Sequence, residues 1–432
     1  MFCPFCGEAV ENTYNYCPFC GHELPGIENR GNVVEIQGNV GQENEVRHIN
    51  EYDSEDEIIT YYFRQGFVYQ KILLFLSTYH GIDMSLRTLS TRLRSLGLRR
   101  RNVEFDVNRV RQRIQEEIDG PGNSGGYRCI AHTLQMEGMQ VPRESVRILL
   151  KELDPEGVNL RRSQTLRRRS YHSPGPNFVW HVDGYDKIKP YGFPVHGCID
   201  GYSRKVLWLK VCKTNNDPAV TGKHFLDAIS KYGGCPVLLR TDNGTENVLM
   251  SGMQAYFRST GEDDLAGCKA HKYGSSPANQ RIESWWSFLR KNRSNWWINF
   301  FKDLVETGVL DTTSDVQKEC LWYCFSSLLQ QDFNSVKQHW NSHYIRKSRF
   351  DTVEGRPDEL YYLPECCGAT DHIQPVSDVQ FNEMSQYCHD YEENSIIQQY
   401  FQNVGEQLAL HEATNWRQAL EMYHNICEIA LG

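Results

Sequence analysis

Long apolar runs are missing from this chain. No stretch of about 18 apolar residues occurs in 432, so no transmembrane helix and no membrane partner are expected. The opening residues, MFCPFCGEAV, lack the basic, apolar and small-residue sections of a signal peptide. An intracellular, nuclear protein is therefore expected, in which the Asn-x-Ser/Thr matches at Asn243 and Asn292 carry no sugar. A positive net charge is missing too: the total is −9, which at first argues against a nucleic-acid partner. Material for a core is not short, with 40% hydrophobic and 12% aromatic residues, and the length calls for two to four domains.

The charge is unevenly spread. Residues 1–53 carry −7 and residues 346–432 carry −10, whereas residues 54–170 carry +6 and residues 171–345 carry +2. A positive middle between acidic ends fits a nucleic-acid-binding centre, although solvated surfaces account for the acidic ends equally well. The 15 cysteines do not read as a disulfide framework, being odd in number in a chain without a signal peptide. Four of them form Cys3-Pro-Phe-Cys6-Gly and Cys17-Pro-Phe-Cys20-Gly, two copies of one pattern. Each copy offers two thiolates three positions apart, and four thiolates close a tetrahedral site for one structural Zn²⁺. Metal binding would supply the folding energy of so short a segment. Residues 1–24 are thus expected to be a zinc ribbon and 25–53 an acidic linker. The other eleven cysteines are expected to be mostly small buried hydrophobes.

Residues 54–103 read as a helix-turn-helix-like unit. Ile72, Leu73 and Leu76 form one apolar face before His80-Gly81. Ser85 then caps a second helix with Leu86, Leu89, Leu93 and Leu96 inward and Gly97 at its end. Arg87, Arg92 and Arg94 fall off that face, followed by Arg99, Arg100 and Arg101, which is how a DNA-reading helix is laid out. Residues 104–170 suggest a second such unit. It has a helix from Arg128 to Met139, another from Pro142 with Val146, Leu149, Leu150 and Leu153 inward, and a basic tail to Arg169.

From residue 171 the pattern changes to strands. Phe178 to Asp183 reads as a strand ending in a carboxylate, and Val195–Ile199 and Val206–Val211 read as the next two. Pro218 opens a helix with Val220, Phe225, Leu226 and Ile229 inward, and Pro236 to Asp242 is another strand ending in an acid. Pro277 opens a helix that carries Asn279, Gln280 and Glu283. Carboxylates at the carboxyl ends of strands lie where open α/β sheets bind ligands, and a helix crossing the sheet can bring a third. Such hard oxygen ligands suit two Mg²⁺ or Mn²⁺ ions, which activate an attacking oxygen and stabilise a leaving one at a phosphodiester. Asp186 and Asp200 also lie near strand ends; Asp200, read as the cap of a turn, is the alternative to Asp183, and Glu246, read as facing outward, is the alternative to Glu283.

The runs HVDGYDKIKPYGFPVHGCIDGYSRKVLWLKV, RTDNGTEN and SSPANQRIESWWSFLR together resemble the catalytic core of retroviral-type integrases and related transposases. The resemblance covers residues 171 to about 345, and the helical units before it resemble those of eukaryotic integrase-like transposon proteins. It implies an α/β RNase H-like core with a mixed five-stranded sheet. That core would be preceded by the four-cysteine zinc ribbon and helix-turn-helix-like DNA-binding units, and followed by a mainly helical, acidic region at 346–432. It also implies an Asp-Asp-Glu triad at Asp183, Asp242 and Glu283, separated by 59 and 41 positions, the second spacing longer than usual for the family. The activity implied is metal-dependent cleavage of DNA 3′ ends and strand transfer, with double-stranded DNA (element ends and target) as partner and a homo-oligomer as the working form. Arg290, seven positions after Glu283, Lys291 and Arg293 are candidate phosphate contacts. Trp285, Trp286, Trp296 and Trp297 read as core aromatics before base-stacking ones, and Trp340 to Arg346 as a structural closing segment. The chain departs from the family in lacking its His-His-Cys-Cys module and a basic C-terminal domain. The negative total charge leaves an alternative: a domesticated, transposase-derived DNA- or chromatin-binding protein without activity.

Overall fold

A computed structural model describes residues 54–100, 104–123, 125–155, 157–158, 173–274, 279–347, 353–389, 396–408 and 412–431. Cys3, Cys6, Cys17, Cys20, Arg101, Pro277 and the basic tail from Arg161 to Arg169 lie outside them.

Three short helices open the described chain: α1 (Glu55–Arg64), α2 (Tyr69–His80) and α3 (Leu86–Ser95). Ser54 and Ser85 cap α1 and α3 by accepting backbone N–H groups with their hydroxyls, and Gly81 and Gly97 take the positive φ that stops the chain after α2 and α3. Ile59, Phe63, Ile72, Phe75, Leu89 and Leu93 fill the small core between them. Leu86, expected inward, lies in the first turn of α3 and is 47% exposed, whereas Leu89 and Leu93 further along the helix reach the core.

A second trio follows: α4 (Val107–Asp119), α5 (Tyr127–Met136) and α6 (Arg143–Leu153). The sequence pattern did not single out α4, although Asp106 caps it and Val110 and Ile114 are spaced for a helix. This trio is fastened to the rest of the chain by a buried charge cluster. Arg293 reaches Glu117 of α4 at 3.3 Å and Asp332 at 3.6 Å. His132 of α5 is 2.8 Å from Ser342 Oγ.

The central sheet has five strands in the order β3-β2-β1-β4-β5, with β1 at Val179–Tyr185, β2 at Val195–Asp200, β3 at Val206–Val211, β4 at Leu238–Thr241 and β5 at His271–Tyr273. β1–β2 and β2–β3 are antiparallel, and β1–β4 and β4–β5 are parallel, so the mixed five-stranded sheet is as expected. Side chains alternate across it. Trp180 and Val182 pack with Phe225, Leu226 and Ile229 of α7 (Pro218–Tyr232) and with Met250 and Met253 of α8 (Val248–Phe257). Tyr185, Val195 and Ile199 pack on the opposite face with Ile282, Trp285, Trp286 and Leu289 of α9 (Gln280–Leu289). Helix α9 continues through a π-helical turn, Arg290–Ser294, into α10 (Asn295–Glu306). The long α11 (Asp315–Ser342) covers the same face.

The boundary expected at 345 does not separate an appendage. In α12 (Pro357–Tyr362) Tyr361 enters the α7–α8 side of the core, Leu363 enters the core of the first helical trio, and Arg356 donates to Gly66 O at 2.8 Å. Helix α13 (Asp378–Ser385) adds Met384 to the α7–α8 side, while α14 (Ile396–Gln407) and α15 (Trp416–Leu431) pack Phe401, Tyr423 and Ile426 against α11. The acidic segment is mainly helical and an integral layer of the fold. Among the described residues no helix is long and apolar enough to cross a membrane.

Candidate active site

Register places the first two acids. β1 pairs with β4 in parallel, Trp180 beside Leu239 and His181 beside Arg240, so two further residues along each strand bring Asp183 beside Asp242. Neighbouring strands lie about 4.8 Å apart. Asp183 shares the face of Tyr185, which is the face α9 covers.

The start of α9 is pinned to β1 by Asn279, which is 1% exposed. Its Nδ2 donates to Val182 O at 2.8 Å and its Oδ1 accepts from His181 Nδ1 at 2.7 Å. Burial lowers the His181 imidazole to about 3, which keeps this ring neutral. With the helix start fixed beside Val182, Glu283 in the first turn and Trp286 three positions later face the same way. Trp286 Nε1 donates to Asp183 Oδ2 at 2.9 Å. Gly197, opposite Asp183 on β2, makes room for that ring, since a Cβ there would stand 2.7 Å from the indole. Asp242 is held by Asn247 Nδ2 at 2.7 Å and by the Gly244 backbone N–H at 3.3 Å. The Asn243-Gly244 turn thus serves the acid as well as the chain direction.

The charges of Glu283 and Asp242 both act on Asp183. Burial pushes the Asp183 carboxyl up to about 7, and Glu283 and Asp242 push it the same way. The groups that oppose the rise are the Trp286 indole and the Gly184 backbone N–H, both neutral. An acid raised by burial and by two other acids, with an indole and a backbone N–H opposing the rise, is in an environment that a divalent cation relieves. As the side chains stand, no group of three His, Cys, Asp or Glu among the described residues is close enough to hold an ion. The donor chemistry and the shared face fit a divalent cation, and drawing the acids together requires side-chain movement.

Asp200 is fully buried and accepts from Asn177 N at 2.8 Å and from Ser203 N and Oγ at 2.7 Å each, the turn-capping place expected for it. Glu246 is half-buried rather than outward-facing. Burial raises its carboxyl most, its own backbone N–H opposes that, and Asp242 and Asp186 add to the rise.

The candidate DNA contacts divide. Arg87, Arg94 and Arg99 are exposed on and after α3. Arg92 is paired with Glu55, and Arg100 folds back over the Phe63 ring at 4.4 Å and donates to Phe67 O. Arg290 and Lys291 are exposed on the π-turn, whereas Arg293 points inward to Glu117 and Asp332 and departs from the expected phosphate contact. The π-turn adds a residue per turn and so carries Arg293 off the face of Arg290. Trp285, Trp286 and Trp297 are buried, as core aromatics should be. Sequence reasoning missed the roles of Trp286 and Asn247. Helical spacing from Glu283 pointed to the first, but nothing in the sequence marked the second.

No curated protein matches the chain. Residues 170–362 match the family model described as an integrase core domain. The match begins where the strand pattern begins and ends with α12, the helix that closes the α7–α8 side of the sheet. Over these residues the chain is similar to integrase core domains, the kind of core that retroviral-type integrases and transposases carry.

Proposed function

We propose that the protein is a DNA integrase or transposase, a polynucleotidyl transferase that cuts the 3′ ends of a DNA element and joins them to double-stranded target DNA. The observation that supports this reading is the β1–β4 register, Trp180 beside Leu239 and His181 beside Arg240, which if continued by two residues would bring Asp183 and Asp242 together near the helix bearing Glu283. Asp183, Asp242 and Glu283 would hold two Mg²⁺ or Mn²⁺ ions, hard cations that take carboxylate oxygens. When bound, such a pair activates the attacking oxygen and stabilises the leaving one in an in-line displacement. Asn279 keeps α9 seated so that Glu283 faces the strand ends. Arg290 and Lys291 lie exposed just beyond that helix to take phosphates, and Arg87, Arg94 and Arg99 grip the duplex from α3. Two element ends and one target call for more than one copy, so a homo-oligomer working in the nucleus is part of the reading. Cys3, Cys6, Cys17 and Cys20 would hold one structural Zn²⁺.

The test is Mg²⁺-dependent cleavage and joining of duplexes drawn from DNA flanking the coding region. Asp183→Asn, Asp242→Asn and Glu283→Gln should each lose at least about a hundredfold in both steps, as removal of a charge-stabilising group does, while DNA binding persists. Undiminished activity in any of the three would exclude that residue. A wild-type protein that binds these duplexes with Mg²⁺ present and never cuts them would point to a domesticated binding protein.

A further inference from the structure

We propose that Trp286 and Asn247 are positioning residues for the cation site, each fixing one acid by engaging one of its oxygens with a neutral N–H. The inference rests on the reading of Asp183 and Asp242 as cation ligands. The two hydrogen bonds are alike in kind. Trp286 Nε1 lies 2.9 Å from Asp183 Oδ2, and Asn247 Nδ2 lies 2.7 Å from Asp242 Oδ1. Both donors are enclosed, at 5% and 2% exposure, so neither swings freely. The indole is wedged between the Gly197 backbone, Tyr185 at 5.2 Å and Trp285 at 5.2 Å between ring centroids. The Asn247 amide is turned by a second acid, Glu246 Oε1, at 3.1 Å.

Neutrality is the point of the arrangement. A lysine or arginine at either place would cancel the charge that a divalent ion needs, whereas an amide or indole N–H orients the carboxylate and leaves its charge for the ion. Packing alone does not require these donors. Trp285, the preceding residue, is 1% exposed and its Nε1 has no hydrogen-bond partner, so a tryptophan in this core is tolerated with its N–H unused. Trp286 differs in aiming that N–H at an acid.

The experiment measures Mn²⁺ binding by electron paramagnetic resonance on the full, zinc-replete chain without DNA, so no turnover enters the readout. Trp286→Phe and Asn247→Ala should each raise the Mn²⁺ dissociation constant roughly 10–100-fold, the usual effect of losing an outer-shell partner. Trp285→Phe should leave it unchanged, and Asp183→Asn should lose binding. Wild-type affinity in both Trp286→Phe and Asn247→Ala would overturn the inference, as would an equal loss in Trp285→Phe, which would trace the effect to packing. If Trp286→Phe fails to fold, Asn247→Ala tests the same claim on the other acid. Full Mn²⁺ binding by Asp183→Asn would instead sink the reading of the acids as ligands.

Discussion

At Gly197 a single added carbon meets the indole that holds Asp183. The Cβ of an alanine would stand 2.7 Å from the Trp286 ring and 3.3 Å from its next atom, within a core that gives little. Gly197→Ala should therefore cost about 1–3 kcal/mol, the usual range for overpacking, read as a lower denaturant midpoint. It should also weaken any reaction that depends on Asp183, because the ring that moves is the ring that orients the acid. A stability and activity equal to wild type would show that the indole can shift at no cost.

Among the elements, α3 presents the clearest surface for a duplex. Its Leu89 and Leu93 are buried while Arg87, Arg94 and, just beyond, Arg99 face solvent. If these three engage phosphates, the triple alanine variant should flatten the slope of log K against log salt by up to about 3, since every phosphate left unneutralised keeps its counterion. An unchanged slope would remove α3 from the interface. The α9–π–α10 stretch shows why a cluster of basic residues is not one surface: the turn that exposes Arg290 and Lys291 buries Arg293 against Glu117.

For the whole molecule the buried histidines set the response to acid. Burial lowers His196, His271, His339 and His343 to about 4, His181 to about 3 and His132 to about 2. Unfolded histidine titrates near 6.5, so between about pH 6.5 and about 4 the unfolded chain binds more protons than the folded one, and stability falls as pH falls. Each group within its window contributes up to about 1.4 kcal/mol per pH unit. Asp183 and Asp200, raised to about 7 and about 6, and Asp332 and Glu246, which burial also raises, act in the opposite sense, and six imidazoles outweigh four carboxyls. Urea midpoints should drop from about pH 7 to pH 5 and stay level from about pH 7 to pH 8. A flat profile down to the lower end would show that these rings are not held neutral.

Features governed by local rules are legible in the residues alone. Alternation and turn residues marked β1 to β4 and α7, caps and glycines marked α2 and α3, and the three acids stood out by residue type and by the ends of their strands. The sequence did not reveal β5, only three residues long, or α8, whose apolar residues run all round and leave no stripe to read. Nor did it show that residues 357–385 belong to the core, because Tyr361, Leu363 and Met384 pack on partners far along the chain. Which basic side chains stay outside depends on long-range packing, since Arg293 is taken inward by Glu117, 176 positions before it. The same holds for Trp286, whose N–H reaches Asp183 only because α9 crosses the sheet above Gly197. Hydrogen bonds and ion pairs depend on direction and distance, and between remote residues packing alone sets both.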